Sequence, residues 1–557
     1  MLWHSRFSSA AALLYGLLAS TFAGPASAMS FPRAVSGDGF ISIPINRQDK
    51  IKSSSIQARD PFEVILGNLV SYYMIEISLG RPAQTLAVLI DTGSSDLWVT
   101  PNCGNAPGRY SHEMCLLLGT YDPLRSSTVD GPVAQGSLHY GDATDARTQT
   151  SVNLKYYTDS LTIGDVTLAN QTFGVTVSGF VDGIAGIFGL APDIHEGFAE
   201  GRPYSLVLNS MKEQGFIESR AFSLDLRHAD ELTGAVIYGG LDVKKFTGPL
   251  AKFPMQPGVE GEARYVETLP SSGSLTSHTS NAIPAKLTQA GAKSSLAVWL
   301  SSIGVSRSTR TNHTIPDTSN SVLLDSGTTL TRLHPQVAQV LLRDLDATMD
   351  DEGSFLASCS LRATASTVDF GFSDTAGSGL TLRVPMADFI LAFQYERNPK
   401  LCYVGLRLTE HQQVLGDSVM RGGYFVFDWD NQEIHIAQAS NCGSEIVAIG
   451  SGPDAVPAVS GKCTAEDSRP TEAPTAAGDG NSALPTTPYT TTFTITECPS
   501  FDLECTPGML TTQTFLPLAT DSPNSDDQED AAWGLSAGLN LWTLFATGVG
   551  AILMVSR

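Results

Sequence analysis

Positive charge is what this chain of 557 residues has least of: 34 Lys and Arg stand against 57 Asp and Glu, a net charge of −23. Nucleic-acid binding needs clustered cations over phosphates, so nucleic acid is excluded as the main partner. Charge of either sign is sparse at 16%, and an acidic balance suits an acidic medium, where carboxylates partly protonate and self-repulsion eases. No His-Glu-x-x-His, no Cys-x-x-Cys and no phosphate-cradling Gly-rich loop ending in Lys-Ser/Thr occurs, and the 10 His are scattered. No metal and no cofactor is therefore expected. Eight Cys are too few for a disulfide scaffold, yet enough for several clips on a large fold. Long apolar runs are missing except at the two ends. With 42% hydrophobic residues the remainder can bury a large core.

Both ends read as processing signals. Arg6 precedes an apolar run from Ala10 to Ala19, and Ala26-Ser27-Ala28 has the small-x-small form of a signal-peptidase site, giving a signal peptide over 1–28. No charge occurs between Ala531 and Ser556. Ser522, Asn524 and Ser525 are small, Asp526 to Asp530 make a polar spacer, and the apolar tail 531–557 follows. That order is the pattern of a GPI-attachment signal, with Asn524 or Ser525 as the attachment residue. A plain membrane-spanning anchor is the other reading of the same run.

Inward of these ends the composition shifts twice. Residues 29–59 carry five basic and two acidic residues and end at Arg59, which suggests a basic propeptide; a disordered arm is the alternative. From 441 to 530 the chain is rich in Pro, Thr, Ser and Ala, with a net charge of −12 between Glu445 and Asp530. Such a segment cannot bury enough apolar surface to fold compactly and reads as a glycosylated stalk. The folded body, 60–440, reads as short strands between turn residues, an all-β pattern. Within it 270–295 is a low-complexity insertion, and Asn170 and Asn312 head N-glycosylation sequons.

The chemistry lies in a repeat. Ala87-Val88-Leu89-Ile90 runs into Asp91-Thr92-Gly93-Ser94, and Ser321-Val322-Leu323-Leu324 runs into Asp325-Ser326-Gly327-Thr328. A strand end holds a carboxylate rigidly, Gly permits a tight turn, and flanking hydroxyls hydrogen-bond the carboxylate. Two such loops face to face bring two carboxyls so close that they share one proton. One can then take a proton from water while the other gives one to a carbonyl. A lone Asp-Thr-Gly would be an Asx-type turn; the pair is not so explained. Ile187-Phe188-Gly189 follows the first motif and Val414-Leu415-Gly416 the second, so two lobes of related topology are expected.

The run Asp91-Thr92-Gly93-Ser94-Ser95-Asp96-Leu97-Trp98-Val99 resembles the first active-site motif of pepsin-like aspartic proteases, and Asp325-Ser326-Gly327-Thr328-Thr329 the second. Leu138-His139-Tyr140-Gly141-Asp142 is similar to the hairpin flap of that family. The resemblance implies a bilobal all-β fold with the cleft between lobes 60–245 and 246–440, and an endopeptidase working at acid pH. It implies Asp91 and Asp325 as the dyad, Ser94 and Thr328 holding its outer oxygens, and Thr92 and Ser326 tying the loops. It also implies Tyr140 and Gly141 over the substrate, with Tyr140 bonded to Trp98, and disulfides Cys103–Cys115 and Cys359–Cys402. The pairing of Cys442, Cys463, Cys498 and Cys505 stays open.

The propeptide, stalk and tail resemble those of fungal yapsin-like enzymes, which implies a monomer on the cell surface, inhibited by its own propeptide. Asp142 at the flap tip implies a preference for Lys or Arg before the cut bond; capping of the turn is its plainer role. A non-catalytic surface protein of this fold would be expected to lose an Asp or Tyr140, and this chain keeps all three.

Overall fold

The structure is a computed structural model. It describes residues 34–49, 71–141, 149–181, 184–192, 205–229, 233–256, 265–268, 295–307, 310–315, 321–373, 379–464, 489–494 and 510–515. The chain divides into two units, 1–472 and 473–557. In the second, the described residues form one antiparallel hairpin, Tyr489–Thr494 with Leu510–Phe515.

The first unit is built of strands, as the short alternating runs predict. Ser71–Leu79 turns through Gly80-Arg81-Pro82 into Gln84–Asp91, pairing antiparallel from Met74↔Leu89 to Leu79↔Gln84. Val88, Ile90, Ile75 and Leu79 are fully buried. At about 1.5–3 kcal/mol for each aliphatic side chain removed from water, this hairpin is anchored by its core face. The lobes share a sheet. Ala221–Asp225 of the N-terminal lobe pairs antiparallel with Gly423–Asp428 of the C-terminal lobe. Phe222 and Phe427 stack across that seam with ring centroids 4.9 Å apart. Among the described residues this sheet has 16 strands, and an 8-stranded sheet carries the second carboxylate motif.

Two segments set apart from the body in the sequence are tied into its sheets. The stretch 29–59, read by its charge as separate from the body, contributes the strand Phe40–Asp49. That strand lies between Thr233–Tyr238 and Ser71–Leu79. Its alternating Ile41, Ile43 and Ile45 are at most 3% exposed, so a period-two apolar pattern, outweighed by basic residues in the reading, decides its place.

The expected stalk start at 441 is too early. Ile446–Ala448 pairs with Gly240–Asp242, Ser460–Lys462 pairs with Phe246–Pro254, and Cys442 is disulfide-bonded to Cys463. Ile449, Ala455 and Val456 enter a buried cluster with Phe246 and Tyr424. Scattered apolar residues among Gly, Ser and Pro hid this clasp. Cys498 and Cys505 lie outside the described residues.

A chain ended at Ser440 should therefore be less stable than one ended at Thr464. The loss expected is about 3 kcal/mol or more from the uncovered Ile449 and Val456 sites alone. Urea unfolding midpoints of the two chains measure it; equal midpoints would show that 441–464 adds nothing to the fold.

Candidate active site

Each carboxylate stands at the end of a strand inserted beside a parallel neighbour. Gln84–Asp91 runs parallel to Gly186–Gly189, with Asp91 opposite Gly189. Ser321–Leu324 runs parallel to Gln413–Leu415, with Leu324 opposite Leu415. The two hydrophobic-hydrophobic-Gly repeats are these partner strands. Leu190 N–H donates to the Asp91 carbonyl at 2.7 Å, and Asp325 N–H to that of Leu415 at 3.1 Å.

The loops mirror one another atom by atom. Gly93 N–H donates to Asp91 Oδ1 at 2.8 Å and Gly327 N–H to Asp325 Oδ1 at 2.8 Å. The Ser94 hydroxyl donates to Asp91 Oδ2, and the Thr328 hydroxyl to Asp325 Oδ2 at 2.6 Å. Between the loops, Thr92 Oγ1 donates to the Leu324 carbonyl at 2.7 Å and accepts from Ser326 N–H at 2.9 Å. Ser326 Oγ donates to the Ile90 carbonyl at 3.0 Å and accepts from Thr92 N–H at 3.2 Å. The ring is buried, so its bonds are not exchanged for bonds to water.

Glycine is required at the third motif position. A Cβ on Gly93 would lie 2.6 Å from Asp325 Cγ, and one on Gly327 2.5 Å from Asp91 Oδ1. Each loop backbone thus abuts the opposite carboxyl. Burial, and then the neighbouring Asp325 charge, raise the Asp91 carboxyl well above its usual range, against the hydrogen bond from Ser94. A carboxyl kept protonated beside another is an acid next to a base, the arrangement that activates a water on one side and protonates a carbonyl on the other.

Tyr140 ends the long strand Asp130–Tyr140, which pairs antiparallel with Thr150–Ile163 as a hairpin. Its hydroxyl accepts from Trp98 Nε1 at 2.7 Å. Burial, and then Asp91, push the Tyr140 phenol up, so it is a neutral donor near the carboxyls. Gly141 follows at φ 98°, a left-handed turn residue. Asp142 lies outside the described residues, as do Asn524, Ser525, the signal peptide and the apolar tail. Asn170 and Asn312 are exposed. Cys103 is bonded to Cys115, and Cys359 to Cys402.

The sequence reading missed a brace behind Asp325. Asp417 N–H donates to the Thr328 carbonyl at 2.9 Å. Ser418 Oγ donates to the Gly405 carbonyl at 2.7 Å and accepts from Thr331 Oγ1 at 3.0 Å. Arg421, one helical turn from Asp417, donates from Nε to the Tyr73 hydroxyl at 2.8 Å. The i, i+4 spacing of Asp417 and Arg421 was readable; the link to Tyr73, 348 residues away, was not.

Paired strand-end loops, each offering a hydroxyl-braced carboxyl to the other, define a two-carboxylate acid–base hydrolase. The profile of the eukaryotic aspartyl proteases matches residues 72–439. Candidapepsin of Candida tropicalis is 30% identical over 399 residues, covering 71% of this chain and 85% of that protein. Secreted aspartic protease 6 of Candida albicans is 30% identical over 419 residues, covering 73% and 85%. The probable aspartic-type endopeptidase opsB of Aspergillus fumigatus is 29% identical over 406 residues, covering 70% and 74%. The chain belongs to the eukaryotic aspartyl protease family, and it is an aspartic-type endopeptidase acting on polypeptides.

The raised Asp91 makes stability pH-dependent in a definite direction. Above the ordinary carboxyl value of 3.8 the unfolded chain loses this proton while the folded one keeps it. This contribution is fully present at low pH and is lost as pH rises toward the folded value. Asp91→Asn should flatten that part of the profile. Melting temperatures of both proteins between about pH 3 and pH 7 give the comparison; parallel curves would mean that Asp91 holds no such proton.

Proposed function

We propose that Asp91 and Asp325 are the catalytic dyad of an acid-active endopeptidase of the fungal cell-surface, yapsin-like kind. The observation that carries this is the mirrored pair of loops, in which Gly93 and Gly327 each abut the opposite carboxyl. In the reaction an ionised carboxyl takes a proton from water as its oxygen bonds to the scissile carbonyl carbon. The protonated partner gives its proton to the carbonyl oxygen. The resulting diol collapses, the C–N bond breaks, and the amine leaves with a proton from the dyad. Ser94 and Thr328 hold the outer oxygens, Thr92 and Ser326 fix the separation, and Tyr140 with Gly141 closes over the peptide. Asp325→Asn should abolish turnover without unfolding the chain; full activity on a peptide library at acid pH would refute the assignment.

The finer reading rests on the sequence. A signal peptide at 1–28 and a GPI anchor at Asn524 or Ser525 would carry the enzyme as a monomer to the cell surface, glycosylated at Asn170 and Asn312. Removing 531–557 should release active enzyme into the medium; anchorage that survives the removal would contradict this. Residues 29–59 would restrain the zymogen. Substrate preference for Lys or Arg would come from Asp142, since a carboxylate in a partly dry cleft attracts a cation strongly. Asp142→Thr should cut kcat/KM on Lys and Arg substrates about tenfold, some 1.4 kcal/mol, and spare Leu and Phe substrates. An equal loss on all substrates would reduce Asp142 to shaping the turn.

A further inference from the structure

The low-complexity stretch 270–295 belongs to an excursion that leaves the C-terminal lobe after Gln256 and returns at Ser295. Its ends are pinned to each other. Ser295 N–H donates to the Gln256 carbonyl at 2.7 Å and Gln256 N–H to the Ala297 carbonyl at 2.9 Å, while Ser295 Oγ reaches the same Gln256 carbonyl at 3.1 Å. This base adjoins the active site. Leu324 N–H donates to the Leu296 carbonyl at 2.9 Å, Ala297 pairs with Leu323, and Asp325 directly follows the end of that strand at Leu324.

The excursion also reaches the other lobe. Its strand Tyr265–Thr268 pairs antiparallel with the flap strand, Tyr265 opposite Ser137 and Thr268 opposite Ala134. It takes the edge of the flap strand not used by Thr150–Ile163, and Tyr140 follows close after Ser137 on the same strand. Residues 257–264 and 269–294 lie outside the described residues.

We propose that Tyr265–Thr268 is a flap-positioning strand: a chain rooted beside the Asp325 strand pairs with the strand that carries Tyr140 and sets how readily the flap moves over substrate. Thr150–Ile163 is paired on its other side with Val166–Gly179, so the flap strand is the outer edge of that sheet, and a strand added there both stiffens it and satisfies its open edge. A flap already ordered costs less to order when peptide binds, which lowers KM. Lifting it for product release then needs that third strand to yield.

Because the excursion is closed at its base, replacing 257–294 by a Gly-Asn turn should leave the fold intact. KM for an octapeptide is expected to rise about fivefold, with kcat held within about twofold. Independently, Gln135→Cys combined with Glu267→Cys places cysteines at directly opposed positions of the full-length chain, and mild oxidation should join them. The joined strand cannot yield, so kcat should fall about fivefold relative to either single-cysteine protein. Cysteines that stay alkylatable, an unchanged KM in the shortened chain, or an unchanged kcat in the joined one would each overturn the proposal. It rests on Tyr140 covering the substrate, and the two ideas fail separately. Undiminished activity of Tyr140→Ala would remove that reading, whereas free cysteines in an enzyme that does need Tyr140 would remove only the positioning strand.

Discussion

Two carboxyls repel when both are ionised, and nothing in a pair of loops from distant parts of a chain keeps them together unless something else binds those loops. Here it is the buried ring between Thr92 and Ser326, in which each hydroxyl bridges the backbone of the opposite loop. Four hydrogen bonds shielded from water, each worth about 0.5–1.5 kcal/mol net, can offset that repulsion because one shared proton removes most of it. The glycines and the outer hydroxyls make sense only once this separation is fixed. Ser326, the counterpart of Thr92, has the hydroxyl that the ring needs and lacks only the methyl group.

The ring is local, but its rigidity is borrowed from the seam between the lobes. The strands Ala221–Asp225 and Gly423–Asp428 make one sheet of both lobes. Below the second loop, Arg421 ties Asp417 to Tyr73 of the N-terminal lobe. Asp388, which feels the Arg421 charge, is bonded to His228 Nδ1 at 2.7 Å and accepts from Ala229 N–H at 2.6 Å. Such buried ion pairs are weak sources of stability but strict about geometry, since breaking one leaves a charge stranded. Asp417 N–H reaches the Thr328 carbonyl, so this geometry is passed directly to the loop that holds Asp325.

What could be read beforehand follows from range. The Asp91 and Asp325 motifs, their feeding strands and the later Gly repeats are contiguous patterns, and each names its own local structure. The all-β class followed from short strands between turns. The Arg421–Tyr73 contact, the pairing of Tyr265–Thr268 with the flap strand and the clasp closed by Cys442–Cys463 join residues far apart with no pattern in either partner. Phe40–Asp49 is a different case. Its alternation was present in the sequence, but the basic residues around it drew attention to a propeptide and away from a strand of the body's sheet.

The same residue type is tuned in opposite directions in this fold. Asp91, buried beside a second carboxyl, is raised and keeps its proton. Asp159 is buried too, which opposes its ionisation. Yet Ser126, Thr128, Tyr121 and the Ser160 N–H all donate to it, and they hold it below the usual carboxyl value. Asp388 is likewise buried but lowered by His228 and then Arg421. Asp430 is lowered by Lys212 and Arg220 against its own desolvation. A lowered carboxyl stabilises the fold above its unfolded value of 3.8, and that contribution is lost only as pH falls through the folded value. Between these two sets of values lies a pH range in which the dyad holds its proton while the structural carboxylates stay charged and bonded. Donor-rich surroundings in one place, and a like-charged neighbour in the other, are enough to open it.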